Sequence, residues 1–227
     1  HVDVKRGQVI HIPPGGKGMQ EISSLIGGKP SGLRNWFKEH LPFKILKSNI
    51  ENKENIDIDN AYNGIGITMV YDSRLRRILI TKKDHKLKPL EEGESVKYEN
   101  KSFFYVNGET EVEVFLDNDK LFEEVSWTLG YSPIEQKFIG WYTYYPNYYI
   151  PHQNYFQSGK NSNDEEFGIW SHLLTNRSYQ VFYGKKHPFS FEIMPQREFG
   201  NSLLKSVDWK MDVRRYHNEF DWAEIQD

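Results

Sequence analysis

The stretch from Val125 to Asn147, VSWTLGYSPIEQKFIGWYTYYPN, constrains the fold more than any other part of the chain. Val125, Trp127, Leu129 and Tyr131 fall on alternate residues, Ser132-Pro133 opens a turn, and Lys137 to Tyr145 runs on as an almost unbroken aromatic strand, which is the pattern of one β-hairpin. Trp141, Tyr142, Tyr144 and Tyr145 would point to both faces of that strand. We therefore expect it between two packed layers, with Trp127, Trp141 and Trp170 as packing core. On that reading Trp141→Ala costs about 3–5 kcal/mol.

Part of the hairpin recurs. Asp3 is followed five residues later by Gln8, Asp72 by Arg77 and Ser132 by Lys137, and each polar partner precedes a pair of β-formers, Val9-Ile10, Ile78-Leu79 and Phe138-Ile139. A turn former, a polar residue five places on and a β-branched or aromatic pair define a hairpin unit. The units are spaced by roughly 60 to 70 residues, somewhat more than the ~40 to 50 of common propeller blades. The expectation is an all-β fold of antiparallel four-stranded blades, a partial β-propeller with insertions and one short helix. We divide it into blades with the helix at 1–84, an inserted β-hairpin at 85–119, and blades with C-terminal strands at 120–227.

Composition agrees with sheets, since at 37% hydrophobic and 15% aromatic residues it is rings that must carry burial. There is no cysteine, which excludes disulfides and thiolate metal sites. No run approaches the ~18 apolar residues of a membrane span, so no membrane segment is expected. The formal net charge of −3 argues against a dedicated nucleic-acid surface. The chain begins at His1 inside the first hairpin repeat, and we expect it to be a piece of a longer polypeptide whose remaining sheets lie outside it.

Along the chain, Val2 to Ile12 reads as a hairpin stopped by Pro13-Pro14-Gly15-Gly16, with a short strand at Met19 to Ile22. PPGGKG lacks the Gly-Lys-Ser/Thr ending of a phosphate loop. Ser31 to His40 is the clearest helix: Ser31 caps it, Leu33, Trp36 and Phe37 share a face, and Pro42 ends it. Residues 47–60 are polar and read as an exposed loop. Gly64 to Tyr71 and Arg77 to Thr81 form the second hairpin, and Lys82-Lys83 reads as its solvated end. Within the insertion, Asn107-Gly108 supplies the two positive φ angles of a type I′ turn, so its hairpin should project from the sheet that carries it.

Strands at Gln153 to Gln157 and Phe167 to His172 would complete one four-stranded blade with Glu124 to Tyr131 and Lys137 to Tyr145. Two alternating strands follow, one with Phe189, Phe191 and Ile193, the other with Val207, Trp209, Met211 and Val213.

Motifs that carry chemistry are sparse. GxSxG, HExxH, GxxxxGK[ST] and CxxC do not occur. The histidines, among them His152, His172, His187 and His217, have no paired short spacing for a metal. Asp164, Glu165, Glu166, Asp208 and Asp212 are the carboxylates that a glycosidase could use, but they fall in a polar loop or on the charged face of a strand. The run from Trp141 to Tyr149 could stack on sugar rings, with Tyr148 and Tyr149 as its exposed members. No catalytic residue, cofactor or metal site is expected.

The segments WTLGYSP, KFIGWYTYYPNYYI, NYFQ…GIWSHL and FYGKKHPFSFEI, with GLRNWFKEHLPF and GITMVYDSRLRRILITKKD upstream, resemble the tail muzzle or packaged-DNA stabilisation proteins of crAss-like bacteriophages. The resemblance covers most of the chain and carries no catalytic motif. It implies a non-enzymatic virion protein of the phage tail. Such a protein would assemble as a ring with other copies of itself and other tail proteins, near packaged DNA that it does not read by sequence. A carbohydrate- or receptor-binding propeller module and a propeller glycosidase are the alternative functions.

Overall fold

A computed structural model of the chain describes residues 1–12, 18–26, 29–161, 168–172, 181–186, 214–218 and 221–224. The PPGG stop, the strands expected around Phe189 to Ile193 and Val207 to Val213, Phe167, His187 and the five candidate carboxylates lie outside the described residues. The elements are β1 (Val2–Asp3), β2 (Gln8–His11), β3 (Gln20–Glu21), β4 (Leu25–Ile26), β5 (Lys29–Pro30), α1 (Arg34–His40), β6 (Gly66–Asp72), β7 (Arg77–Lys83), β8 (His85–Leu87), β9 (Glu94–Glu99), β10 (Ser102–Asn107), β11 (Thr110–Val114), β12 (Phe122–Glu124), β13 (Trp127–Ser132), β14 (Lys137–Tyr142), β15 (Tyr148–Pro151), β16 (Phe156–Lys160) and β17 (Gly168–Ser171), with a short hairpin at 181–186 and a strand pair of Arg214–Asn218 with Asp221–Glu224. The described chain is mostly β, in several antiparallel sheets.

The recurring turn motif has one geometry in all three copies. Asp3 pairs with Gln8, Asp72 with Arg77 and Ser132 with Lys137, each closing a four-residue loop. The side-chain oxygen of the first residue accepts the backbone N–H three places on: Arg6 to Asp3 (2.9 Å), Leu75 to Asp72 (3.2 Å) and Glu135 to Ser132 (3.2 Å). The fourth loop residue takes positive φ in each copy, at Gly7 (66°), Arg76 (51°) and Gln136 (49°). A short polar side chain thus replaces the missing loop hydrogen bond, and one left-handed residue turns the chain back into the ladder.

The second and third copies do not head separate blades. They join one four-stranded sheet of order β14-β13-β7-β6, because Trp127 to Tyr131 pairs with Ile78 to Lys82 as well as with β14. Both four-residue loops therefore sit at the same end of this sheet. The strands expected to complete a blade with them instead form a second sheet, β15-β16-β17. The strand buried on both faces is β13, every residue of which is buried, and not the aromatic β14. β14 is an edge strand, kinked by a register shift that leaves Ile139 as the extra residue between Phe138 and Gly140.

Each face of the central sheet has its own cover. On one face Ile80, Trp127, Leu129 and Tyr131 pack against Phe37 of α1 and Leu41 just after it, and against Val9 of β2 and Ile22 just after β3. α1 starts at Arg34 with Leu33 in the N-cap position and no side-chain cap; Ser31 Oγ instead accepts from the Leu33 amide (3.2 Å), one turn early. On the other face Val70 and Leu79 meet Tyr144, Phe156 and Tyr183. A threonine ladder crosses this face, Thr81 Oγ1 lying 2.8 Å from Thr128 Oγ1 and 2.7 Å from Tyr149 Oη.

A further core lies under the 85–119 segment, which does not simply project. The sheet β9-β10-β11 closes over Ile45, Ile65, Leu87, Phe103 and Phe122. Residues 47–60, expected as an exposed loop, form a 3-10 turn and bury Ile50 and Ile56 in the same core. Glu51 pairs alongside β9. The type I′ turn of this sheet is Asn100-Lys101 (φ 52° and 67°), between the paired Glu99 and Ser102. At the other end Asn107 pairs with Thr110, so the loop is Gly108-Glu109 and only Gly108 has positive φ (58°), the II′ pattern.

Where β7 passes into β8, the fully buried Asp84 holds these cores together. Its carboxylate accepts from the amides of Lys44 (2.7 Å), Ile45 (3.3 Å) and His85 (2.9 Å) and from Lys82 Nζ (2.6 Å). Asp84→Ala would leave these amides without their acceptor and the buried Lys82 ammonium with only the Pro42 carbonyl and no counter-charge. We predict a loss of about 3–5 kcal/mol in urea unfolding, far above the effect of removing an exposed ion-pair member such as Glu123.

Candidate functional site: an aromatic ledge and a polar groove

Of the six turn residues, Asp72, Arg77, Ser132 and Lys137 share one end of the central sheet, while Asp3 and Gln8 belong to the N-terminal sheet. Arg77 Nε bonds Asp72 (2.9 Å), and its guanidinium lies over the Tyr142 ring (5.0 Å) while also bonding its hydroxyl. These contacts are structural, because Asp72 is fully buried. The three tryptophans expected in the core separate. Trp127 is 7% exposed and donates from Nε1 to the His40 carbonyl (3.2 Å), but Trp141 is 48% exposed and Trp170 36%. Both exceptions stand on strands, β14 and β17, that are the edges of their sheets among the described residues, with Trp170 meeting the Tyr183 ring edge-on (5.9 Å).

Trp141 is the rim of a ledge of rings. Trp36 lies 4.2 Å from it and 5.2 Å from Trp127 between ring centres, and Trp36 stacks flat on His40 (4.4 Å, 7°). These contacts hold the Trp141 indole in place with an outer side open. Beside it runs a shallow groove of about 500 Å³ between Pro30, Ser31 and Leu33 on one side and β14 on the other. Ile134, in the β13–β14 loop, and Ile139, whose side chain turns to the Gly130 side of the sheet away from Trp141, are the other exposed apolar groups along this edge. The tyrosines expected to be exposed are engaged: Tyr149 bonds Thr81 and burial raises its pKa, and Tyr148 donates to the Gly168 carbonyl (3.2 Å).

The second surface centres on Lys83, His85 and Glu124, which sequence reading missed. Lys82-Lys83 is not a solvated strand end. Lys82 Nζ reaches the Pro42 carbonyl (3.1 Å) and lies over the Phe43 ring (4.7 Å), and burial lowers its pKa against the opposing pull of Asp84. Lys83 is ion-paired with Glu124. Burial would raise the Glu124 pKa, but the charge and hydrogen bond of Lys83 outweigh it and lower it. His85 is buried and bonds the Gly64 carbonyl; burial, helped by Lys83, lowers its pKa to about 4. Its Nδ1 has no partner among the described residues. Lys83, His85 and Glu124 line a groove of about 730 Å³. Only the alternation of charge in KKDH hinted at this cluster.

His172 forms a third polar centre, with Nε2 2.6 Å from Ser158 Oγ and its ring stacked on Phe156 (4.5 Å, 12°). Ser158 also bonds the Tyr183 hydroxyl (2.5 Å) and is fully buried, so the pair is a packing network and not an available nucleophile. Burial, with the Arg77 charge, lowers the His172 pKa to about 4. Among the described residues no three His, Asp or Glu side chains are grouped to hold a metal.

Two measurements check this picture. With Trp141 on a rim and Trp127 inside, Trp127→Ala should cost about 3–5 kcal/mol in urea unfolding and Trp141→Ala only about 1–2 kcal/mol. The two histidines are neutral when folded and protonate near 6.5 when unfolded, so the unfolded chain takes up protons first as pH falls. Their stabilisation is complete above pH 6.5 and is lost toward pH 4, about 3 kcal/mol for each. Unfolding titrations between pH 7 and 4.5 should show this decline, and His85→Gln should remove roughly half of its slope.

No protein-family model matches the chain, and no curated protein or solved structure matches it either.

Proposed function

We propose that this chain is a structural component of a bacteriophage tail, a ring-forming virion protein that helps close the tail and retain packaged DNA. In this reading it docks on a neighbouring copy through the ledge around Trp141. The observation that carries the docking is the ledge itself. Over β7 and β13 both faces of the central sheet are covered, and its β14 edge presents Ile134, Ile139 and a fixed, half-exposed Trp141. Rigid aromatic anchors of this kind dominate protein contacts. The tail assignment rests on the resemblance of WTLGYSP, KFIGWYTYYPNYYI and the flanking segments to tail muzzle proteins.

The contact is made by side chains and not by strand addition. The bulge at Ile139 and the ion-paired Lys137 interrupt the outer ladder of β14, and such features block edge-to-edge pairing. A head-to-tail contact between one ledge and a different surface of the next copy closes into a ring when the rotation permits. A propeller arrangement, with the central sheet and β15-β16-β17 as blade-like units, belongs to the same proposal. No helix among the described residues is long and apolar enough to cross a membrane.

Sedimentation velocity and native mass spectrometry over a micromolar concentration series test the docking. Self-association is expected, and both Trp141→Ala and Ile139→Lys should abolish it while each variant keeps a cooperative unfolding transition. A wild-type chain that stays monomeric throughout, or association indifferent to both substitutions, overturns the ledge. Electron cryo-microscopy of the source particle tests the location, with the chain expected in a rotationally symmetric ring of the tail.

A further inference from the structure

We propose that the 730 Å³ groove between β10-β11 and the loops carrying Asn147 and Asn161 is a binding site for a neutral, polyhydroxylated ligand, an oligosaccharide in chemical class. The site does not overlap the ledge around Trp141 and does not depend on the tail assignment.

Its charge balance sets the ligand class. Carboxylates and ammonium groups line the groove in near-equal number, among them Glu113, Asp117 and Glu124 against Lys83, Lys101 and Lys160. A polyanion such as nucleic acid needs excess positive charge along its track, and a basic peptide needs the reverse. A neutral ligand with many hydroxyls can use both kinds of group, giving hydrogen bonds to the carboxylates and accepting them from the lysines.

The groove is also built and held. Asn147, itself buried, donates from Nδ2 to the carbonyls of Ala61 (3.0 Å) and Tyr62 (2.9 Å), and its Oδ1 accepts the Asn161 amide (3.2 Å). Asn161 reaches the Tyr62 carbonyl from its own side chain (3.2 Å). These bonds fasten one wall to the 3-10 turn at Ala61–Asn63, so the groove is formed before any ligand enters. Lys83 fixes the Glu124 carboxylate.

Two further features suit a sugar. Phe115 is 57% exposed at the groove, while its neighbour Val114 is buried in the core, so its ring is offered to solvent from an anchored backbone. An exposed ring face packs on the C–H face of a pyranose. His85 lines the same groove and stays neutral through the physiological range, so it leaves the charge balance of the wall unchanged.

The test is an array of neutral oligosaccharides probed with the intact chain, then titration calorimetry with the strongest binder, with heparin and a short polylysine as charged controls. At least one neutral glycan should bind, with affinity unchanged between pH 7 and 5.5. Phe115→Ala and Glu113→Ala should each weaken it about tenfold or more, whereas Ile169→Ala, an exposed residue on β17, should not. Both groove side chains are exposed, so the variants should fold, and an unchanged melting temperature verifies this. Binding of heparin or polylysine alone, no binding by any glycan at millimolar concentration, or glycan binding indifferent to both groove substitutions overturns the proposal.

Discussion

A single carboxylate joins the parts of this protein. Asp84 sits where β7 leaves the central sheet and β8 enters the neighbouring core, and its acceptors hold the chain at Lys44 and Ile45, four decades of sequence away. Its backbone is engaged too: its amide bonds Ser126 Oγ (3.1 Å) and its carbonyl accepts from Val125 (2.9 Å), just before β13. Burying a carboxylate and the Lys82 ammonium is costly in isolation, and it becomes tolerable only because every oxygen of Asp84 has donors in place. The junction therefore works as a geometric specification. It fixes the angle at which the core under β9-β11 meets the central sheet, and the groove lined by His85 and Glu124 lies along that seam.

The local chemistry of the turns was readable in the amino-acid sequence because it depends on residues only a few places apart. A short acceptor at Asp3, Asp72 or Ser132, followed by a polar residue five places on and a pair of β-formers, marks a four-residue hairpin loop at all three places. The hairpins, the helix near Trp36 and the mostly β character follow from the same short-range pattern. What the motif does not contain is which hairpin pairs with which. The ladder between Trp127 to Tyr131 and Ile78 to Lys82 spans nearly fifty residues and is decided by packing of both sheet faces, so two apparent blades became halves of one sheet.

The misreading of Trp141 has a related cause. Alternation tells which residues share a face, and Trp141 does share the face of Leu129 and Ile80, in register with both. It does not tell whether the strand is central or at the edge, and exposure is set by that position. Similarly, Lys82-Lys83 looks solvated in one dimension because its partners, the Pro42 carbonyl and Glu124, lie about forty residues to either side. The type I′ turn at Asn100-Lys101 was hidden because a lysine in the left-handed region carries no compositional signature, whereas Asn107-Gly108 carries one and takes the other turn.

With α1 and the N-terminal strands on one face of the central sheet and the aromatic layer of Tyr144 and Phe156 on the other, the inner strands β7 and β13 have little free face left for recognition. Recognition must then use what a covered sheet leaves over, which is its edges and the seams between its cores. The ledge is such an edge, apolar and held by stacked rings, suited to exclude water from a protein contact. The groove is such a seam, polar and balanced in charge, suited to a ligand that brings its own hydrogen bonds. Because one surface is built on the β14 edge and the other on the β7–β8 junction, a substitution at Trp141 and one at Phe115 touch no common partner. Effects of distant sites without shared partners add, so the two surfaces can be altered and read out independently in one chain.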